Sequence, residues 1–163
     1  MAELRVDPDE LRLAMRQWAS GVTVVSAQDG AIRHGMTVSS FTSVSLTPPL
    51  VLISLERAAR TASLVEKAGC FGVTILSTAQ REVSDRFAGR IADDQDRFDG
   101  LETFSLVSGA PLILGGLAYF DCQVVATYPA GTHTVFIAEV MAARQNPGEA
   151  PLMYYDRDYR DCE

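Results

Sequence analysis

Residues 36–55, MTVSSFTSVSLTPPLVLISL, limit the fold more than any other stretch of the chain. Met36, Val38, Val44 and Leu46 share one parity, and Thr37, Ser39, Ser43 and Ser45 share the other. A period of two belongs to a strand, or to two short strand pieces, with one apolar face and one hydroxyl face. Phe41 breaks the alternation and predicts a bulge or bend there. Pro48 and Pro49 cannot donate ladder hydrogen bonds and mark a turn. The run from Leu50 to Leu55 then reads as a fully buried strand.

The flanking segments are mostly short β patterns. Asp7-Pro8-Asp9-Glu10 opens a helix, with Asp7 as cap, Pro8 at the first helical position and Glu10 completing a capping box. Leu11, Met15 and Trp18 fall at helical spacing and predict one buried stripe, ending at Gly21. Val22–Ala27 is a β-branched strand, and Gln28-Asp29-Gly30 turns it back through Ile32 towards Met36. Thr61–Ala68 reads as a helix capped by Thr61 and stopped by Gly69. Cys70–Leu76 is another buried strand, followed by a helix capped by Ser77 or Thr78 and closed at Gly89. Arg90–Gly100 is acid-rich and predicts an exposed loop. Leu117–Tyr128 and Thr134–Ala143 are long β patterns joined by Pro129-Ala130-Gly131. The tail is aromatic and charged. These patterns predict a mainly β fold in a single domain, residues 1–163. Its core is a six-stranded, mostly antiparallel, Greek-key-type barrel with short flanking helices.

A chain of 163 residues with 47% hydrophobic side chains can build one real core. It has no apolar run long enough to cross a bilayer, and its charged N-terminal stretch does not read as a signal peptide. A soluble, cytoplasmic protein is expected. The net charge of −7 disfavours nucleic acid and anionic membranes as partners. A phosphate-bearing ligand must therefore meet locally placed cations, and these are arginines, because Lys67 is the only lysine. Cys70, Cys122 and Cys162 show no zinc spacing; a buried thiol or two and one loose tail thiol are expected.

No GxGxxG, Walker, HExxH or GxSxG pattern is present. With only His34 and His133, a three-histidine metal site is impossible, and no metal is expected. What remains is the hydroxyl ladder of Thr37, Ser39, Ser40, Thr42, Ser43 and Ser45 beside the proline pair. Such a segment can hydrogen-bond the edge of a flat heteroaromatic ring, and a phosphate, without using charge. Its alternative is an ordinary strand with a solvated hydroxyl side. His133 falls where the second hairpin re-enters its strand, a position open to a ligand, although a lone histidine is more often a packed or surface residue.

The segment TVSSFTSVSLTPPLVLISL resembles the signature of the flavin reductase-like family, the small reductase components of two-component flavin-dependent monooxygenases. The resemblance extends over nearly the whole chain through WASGVTVVSA, CFGVTIL, QREVSDRFAG, GAPLI, AGTHTVFIAEV and PLMYYDRDYR, in that order. It implies an FMN-binding split barrel, a homodimer, and NAD(P)H-dependent reduction of FMN or FAD for a separate monooxygenase component. A homodimer would also cover long edge strands. The resemblance places the flavin ring along Thr37, Val38, Ser39 and Ser40, with Ser54 and Leu55 lining the same pocket. It sets Arg60 and Thr61 on the phosphate and Phe87 on the pocket wall, and brings His133, as the catalytic residue, and Tyr155 to the nicotinamide nucleotide. Thr132 stands where the family's Gly-Asp-His motif has its acid. Asp156, Asp158 and Asp161 stand where relatives tend to be basic, which favours NADH over NADPH. Two alternatives are a protein that holds FMN tightly as an electron carrier and a scaffold that has lost the cofactor.

Overall fold

The computed structural model describes residues 5–92 and 94–162. Met1–Leu4, part of the N-terminal stretch read above, and Asp93, in the acid-rich loop, lie outside the described residues. In chain order the elements are α1 (Pro8–Met15), β1 (Ser20–Gly21), β2 (Thr23–Asp29), β3 (Ile32–Val38), β4 (Thr42–Leu46), β5 (Pro49–Glu56), α2 (Arg60–Ala68), β6 (Cys70–Ile75), α3 (Arg81–Asp85), β7 (Thr103–Phe104), β8 (Leu112–Ile113), β9 (Ala118–Ala130), β10 (His133–Gln145), β11 (Met153–Tyr155) and β12 (Asp158–Arg160). Among the described residues no helix is long and apolar enough to cross a membrane.

Seven strands form one sheet in the order β3-β2-β6-β9-β10-β5-β4, and every pairing in it is antiparallel. Both predicted hairpins form. Gly30 and Gly131, each at φ 59, supply the left-handed residue that their turns require. The two ends of the sheet, β3 and β4, are consecutive in the chain and separated only by Ser39, Ser40 and Phe41. Four residue steps reach about 14 Å at most. The sheet must therefore curl until its edges meet, which makes a barrel with a seam at the hydroxyl ladder. The sheet has seven strands where six are expected, because the break at Ser39–Phe41 divides one predicted strand in two.

Ser40 stitches the seam. Its hydroxyl donates to the Ser54 carbonyl oxygen at 2.7 Å and accepts the Ser54 N–H at 3.0 Å. Thr42 pairs with Leu52 across β4 and β5, so two further residues bring Ser40 opposite Ser54. The side chain there does the work of the backbone ladder. The bulge in β4 falls at Val44, between Ser43 and Ser45, rather than at Phe41. Phe41 is half-buried in the break and packs on Phe120, ring centroids 5.4 Å apart.

Burial follows the period of two. Val51, Ile53 and Leu55 of β5 face the core, while Leu50, Leu52 and Ser54 are half-buried on the other side, so the strand is not buried on both faces. The barrel core, centred on Val25, Ile53, Phe71 and Phe136, is closed by Leu64 and Val65 of α2. A second cluster joins Val24, Leu76, Phe87, Phe98 and Leu152. Cys122 is buried, Cys70 half-buried and Cys162 exposed, all as free thiols.

Three expectations change. Asp7 caps α1 through the Asp9 N–H at 2.8 Å, but the helix ends at Met15 and no residue in it is buried. Leu11, Met15 and Trp18 are 56%, 55% and 70% exposed, so their stripe has no partner among the described residues. Val44 and Leu46 are exposed because β4 is a sheet edge and its bulge resets the parity. The acid-rich loop returns to the core at Arg97 and Phe98, both buried. Arg97 donates to the carbonyls of Gly35 and Phe87 at 3.0 and 3.1 Å, and Phe98 packs edge-on against Phe87 at 4.9 Å.

Phe98→Ala should thus lower stability by about 3–5 kcal/mol. Urea unfolding followed by circular dichroism measures it; a loss below about 1 kcal/mol would show that this loop is not part of the core.

Candidate functional site

A cavity of about 700 Å³ opens beside the seam. Its floor is Val22, Met36 and Phe87; its sides come from Thr37 and Ser39, from Ala58–Thr61 at the start of α2, and from Ser84 and Asp85 at the end of α3. The tail closes it. Residues 153–160 form the hairpin β11–β12, which brings Tyr154, Arg157, Asp158 and Tyr159 to the rim. A smaller hollow of about 430 Å³, lined by Trp18, Phe41 and Ile75, lies across the ladder, and Ser39 borders both.

The start of α2 is open. Its N-cap is Ala59, which makes no side-chain cap, and Thr61 is the second residue of the helix. Thr61 is buried, and its hydroxyl lies 2.7 Å from Nδ1 of the buried His34 on β3. No N-cap side chain therefore engages the first-turn amides, and Ala58–Thr61 meet the cavity together. Uncapped amides at the positive end of a helix form an anion site.

The opposite wall is a hydrogen-bonded network. The Thr37 hydroxyl donates to the Ser84 carbonyl at 2.6 Å. The Tyr159 hydroxyl lies 2.7 Å from the Ser84 hydroxyl and 2.8 Å from an Asp85 carboxylate oxygen. Asp85 is also paired with Arg90 at 3.1 Å. Burial pushes the Tyr159 phenol above its ordinary range, the Asp85 carboxylate adds to the rise, and the Ser84 hydrogen bond opposes it. Tyr159 thus stays a neutral donor at neutral pH. Arg33 bonds Asp96 at 2.6 Å; burial works to raise the Asp96 pKa, but hydrogen bonds from Arg33 and the Phe98 N–H, together with the nearby Arg33 and His34 charges, lower it.

Five of the residues marked out by sequence line the cavity: Thr37, Ser39, Arg60, Thr61 and Phe87. Val38 points into the barrel core, and Leu55 lies there as well, 1% exposed. Ser40 borders the smaller hollow, and its hydroxyl is engaged with Ser54. Ser54 is half-buried at the seam. Tyr155 neighbours the lining residue Tyr154, but its own hydroxyl donates to Gln17 at 3.1 Å. His133 is exposed at the tip of the β9–β10 hairpin, beside the Thr132 hydroxyl at 2.9 Å and outside the cavity. The sequence reading missed Ser84, Asp85, Arg157 and Tyr159. The alternation of Tyr154, Asp156 and Asp158 with Tyr155, Arg157 and Tyr159 is a weak strand signal, and the absence of glycine hides the turn between them.

The geometry defines a small antiparallel β-barrel with a cavity beside its seam, lined by hydroxyl, apolar and arginine side chains. The flavin reductase like domain matches residues 15–163, and the chain belongs to that family. It is 40% identical over 161 residues to an NADH-dependent flavin reductase of a Rhodococcus species, covering 97% of this chain and 88% of that one. It is 37% identical over 147 residues to the reductase component of 4-hydroxyphenylacetate 3-monooxygenase from Thermus thermophilus, covering 90% of this chain and 91% of that one. The solved structure of an NADH:FAD oxidoreductase from Streptomyces globisporus superposes with a TM-score of 0.91 at 35% identity, covering 100% of this chain and 99% of that one.

Tyr159→Phe removes the donor that ties the tail to Asp85 and should cost about 1–2 kcal/mol of stability. Because folding raises this pKa above 10.0, the advantage of wild type is full below pH 10.0 and fades as pH rises through the folded-state value. Denaturant titrations of both proteins at neutral and alkaline pH measure the difference, and a gap that does not change with pH would refute it.

Proposed function

We propose that this chain is an NADH-dependent flavin reductase that reduces FMN or FAD and supplies the reduced flavin to a separate monooxygenase component. One observation carries the reading: an uncapped helix start with an arginine beside it, at one end of a cavity whose other sides are hydroxyl-bearing and apolar. A flavin nucleotide needs those three surfaces, for its phosphate, its ring edge and its ring face. Bound flavin supplies a hydride acceptor at N5 for the nicotinamide C4.

The protein's own task is to bind, orient and exclude water. The α2 amides and Arg60 hold the phosphate. Ser39, whose hydroxyl makes no hydrogen bond among the described residues, is the ladder's available donor towards the ring edge. Met36, Val22 and Phe87 give an apolar face on which a ring can lie. Two rings held about 3–3.5 Å apart need no side-chain acid or base for hydride transfer. Within one protomer His133, outside the cavity, takes no part in this positioning. Of the three tail carboxylates, Asp158 alone lines the cavity, while Asp156 pairs with Arg16 and Asp161 with Arg81. Asp158 opposes a 2′-phosphate there and supports NADH over NADPH. The pool of reduced nicotinamide puts the reaction in the cytoplasm.

The protein works as a homodimer. Leu11 and Met15 on α1, Leu46 on the edge strand β4 and Met141 on β10 are all at least half exposed, which a second copy would correct.

Ser39→Ala and Ser40→Ala separate binding from folding. Ser39→Ala should weaken flavin binding several-fold with stability unchanged within about 0.5 kcal/mol. Ser40→Ala should cost about 1–3 kcal/mol because two backbone groups of Ser54 lose their partner. Flavin fluorescence titration and urea unfolding test the pair, and the reverse pattern would refute the assignment. Mixed anaerobically with NADH and FMN or FAD, the protein should bleach flavin absorbance; no bleaching with either flavin would reject the function.

A further inference from the structure

The tail hairpin turns through two non-glycine residues with left-handed backbones, Asp156 at φ 52 and Arg157 at φ 65. A two-residue turn of this type favours Asn-Gly, because a side chain at its second position is strained. Arginine is a poor choice for the turn itself. Contacts on three sides hold the strained shape. Arg16 Nε bonds Asp156 at 2.6 Å, and the Asp156 N–H donates to the Arg16 carbonyl at 3.1 Å. Tyr159 bonds Ser84 and Asp85, and Arg81 bonds Asp161 at 2.6 Å.

The turn places Arg157 on the rim of the large cavity. Four arginines line that cavity against two aspartates, in a chain whose net charge is −7. Arg90 is paired with Asp85, and Arg97 donates to two carbonyls. Arg60 also has a partner. Asp158, next to the turn, accepts the Tyr159 N–H at 2.8 Å. Among the described residues Arg157 alone of the four makes no hydrogen bond or ion pair.

We propose that Arg157 is a specificity-determining residue that takes a phosphate of the bound nucleotide, held in place by the latched, strained turn. This rests on the reading of the cavity as a flavin reductase site. It adds a second phosphate contact, from the tail, across the cavity from the helix start. The phosphate belongs either to the flavin nucleotide or to the nicotinamide nucleotide. In both cases a planar guanidinium recognises it through paired charge-assisted hydrogen bonds.

Arg157→Gly removes the guanidinium and relieves the turn. It should keep or raise the melting temperature, an outcome that loss of a purely structural residue would not produce. Binding of riboflavin, FMN and FAD is measured by fluorescence titration, and KM for NADH by steady-state kinetics. The expected result is about tenfold weaker FMN and FAD binding, or an about tenfold higher KM for NADH, with riboflavin binding unchanged. Weaker FMN and FAD binding assigns the phosphate to the flavin, and a raised KM alone assigns it to the nicotinamide nucleotide. Arg157→Lys should fall between wild type and Arg157→Gly. Unchanged binding and KM in Arg157→Gly, or an equal loss for riboflavin, would overturn the proposal. Wild type binding none of the three flavins would instead overturn the flavin reading, and this proposal with it.

Discussion

The seam between β3 and β4 sets the rest of the molecule. Two edges of a seven-stranded sheet are joined by Ser39, Ser40 and Phe41, so the sheet cannot stay open. Closing it leaves backbone groups near the seam without ladder partners, and such groups are costly unless they are paired. The hydroxyl-rich sequence answers this locally: Ser40 pairs with both backbone groups of Ser54, and the buried Thr23 hydroxyl donates to the Val38 carbonyl at 2.8 Å. Hydroxyls at the seam therefore divide into those that complete the barrel and those, such as Ser39, that remain available beside the cavity. One sequence feature thus closes the barrel through Ser40 and leaves the neighbouring Ser39 hydroxyl beside the cavity.

The tail and the acid-rich loop form the side of the site that faces away from the barrel. Each is anchored by polar contacts: Arg33 to Asp96 for the loop, and Arg16, Arg81 and Tyr159 for the hairpin. Exposed pairs of this kind contribute little individually. Their effect here is to fix direction. They consume the carboxylates of Asp96, Asp156 and Asp161 and so leave the arginines of the cavity less opposed than the overall charge suggests. A strongly acidic chain thereby keeps a cationic rim around its cavity.

The β architecture was legible because alternation and turn chemistry are local. Gly30 and Gly131 announce their hairpins, whereas the continuous apolar run of β5 hides that only Val51, Ile53 and Leu55 face inward. The Leu11–Met15–Trp18 stripe misled for a physical reason: helical spacing shows that a face is apolar and cannot show whether its partner belongs to the same chain. Arg97 and Phe98 misled because their neighbours in sequence are acidic while their neighbours in space are Gly35 and Phe87. Of the site, the β3 residues lie in one contiguous motif, while Arg60 and Thr61 on α2 came only from the family resemblance. The Tyr159–Ser84–Asp85 network joins positions 75 and 74 residues apart, and no local pattern predicts such a meeting.

Thr61 shows how a small displacement leaves a helix start open. Hydroxyl residues are favoured at helix starts, and Thr61 at the N-cap would have engaged the first-turn amides of α2. Two positions further into the helix, it turns to His34 instead, and alanine occupies the cap. The helix gives up the usual stabilisation of a capped end, and its amides face the cavity beside Arg60. A local rule is broken in a helix whose other end is closed normally by Gly69 at φ 70, so the departure belongs to the site and not to a weak helix. Any acceptor placed at this position would restore the missing cap and complete α2.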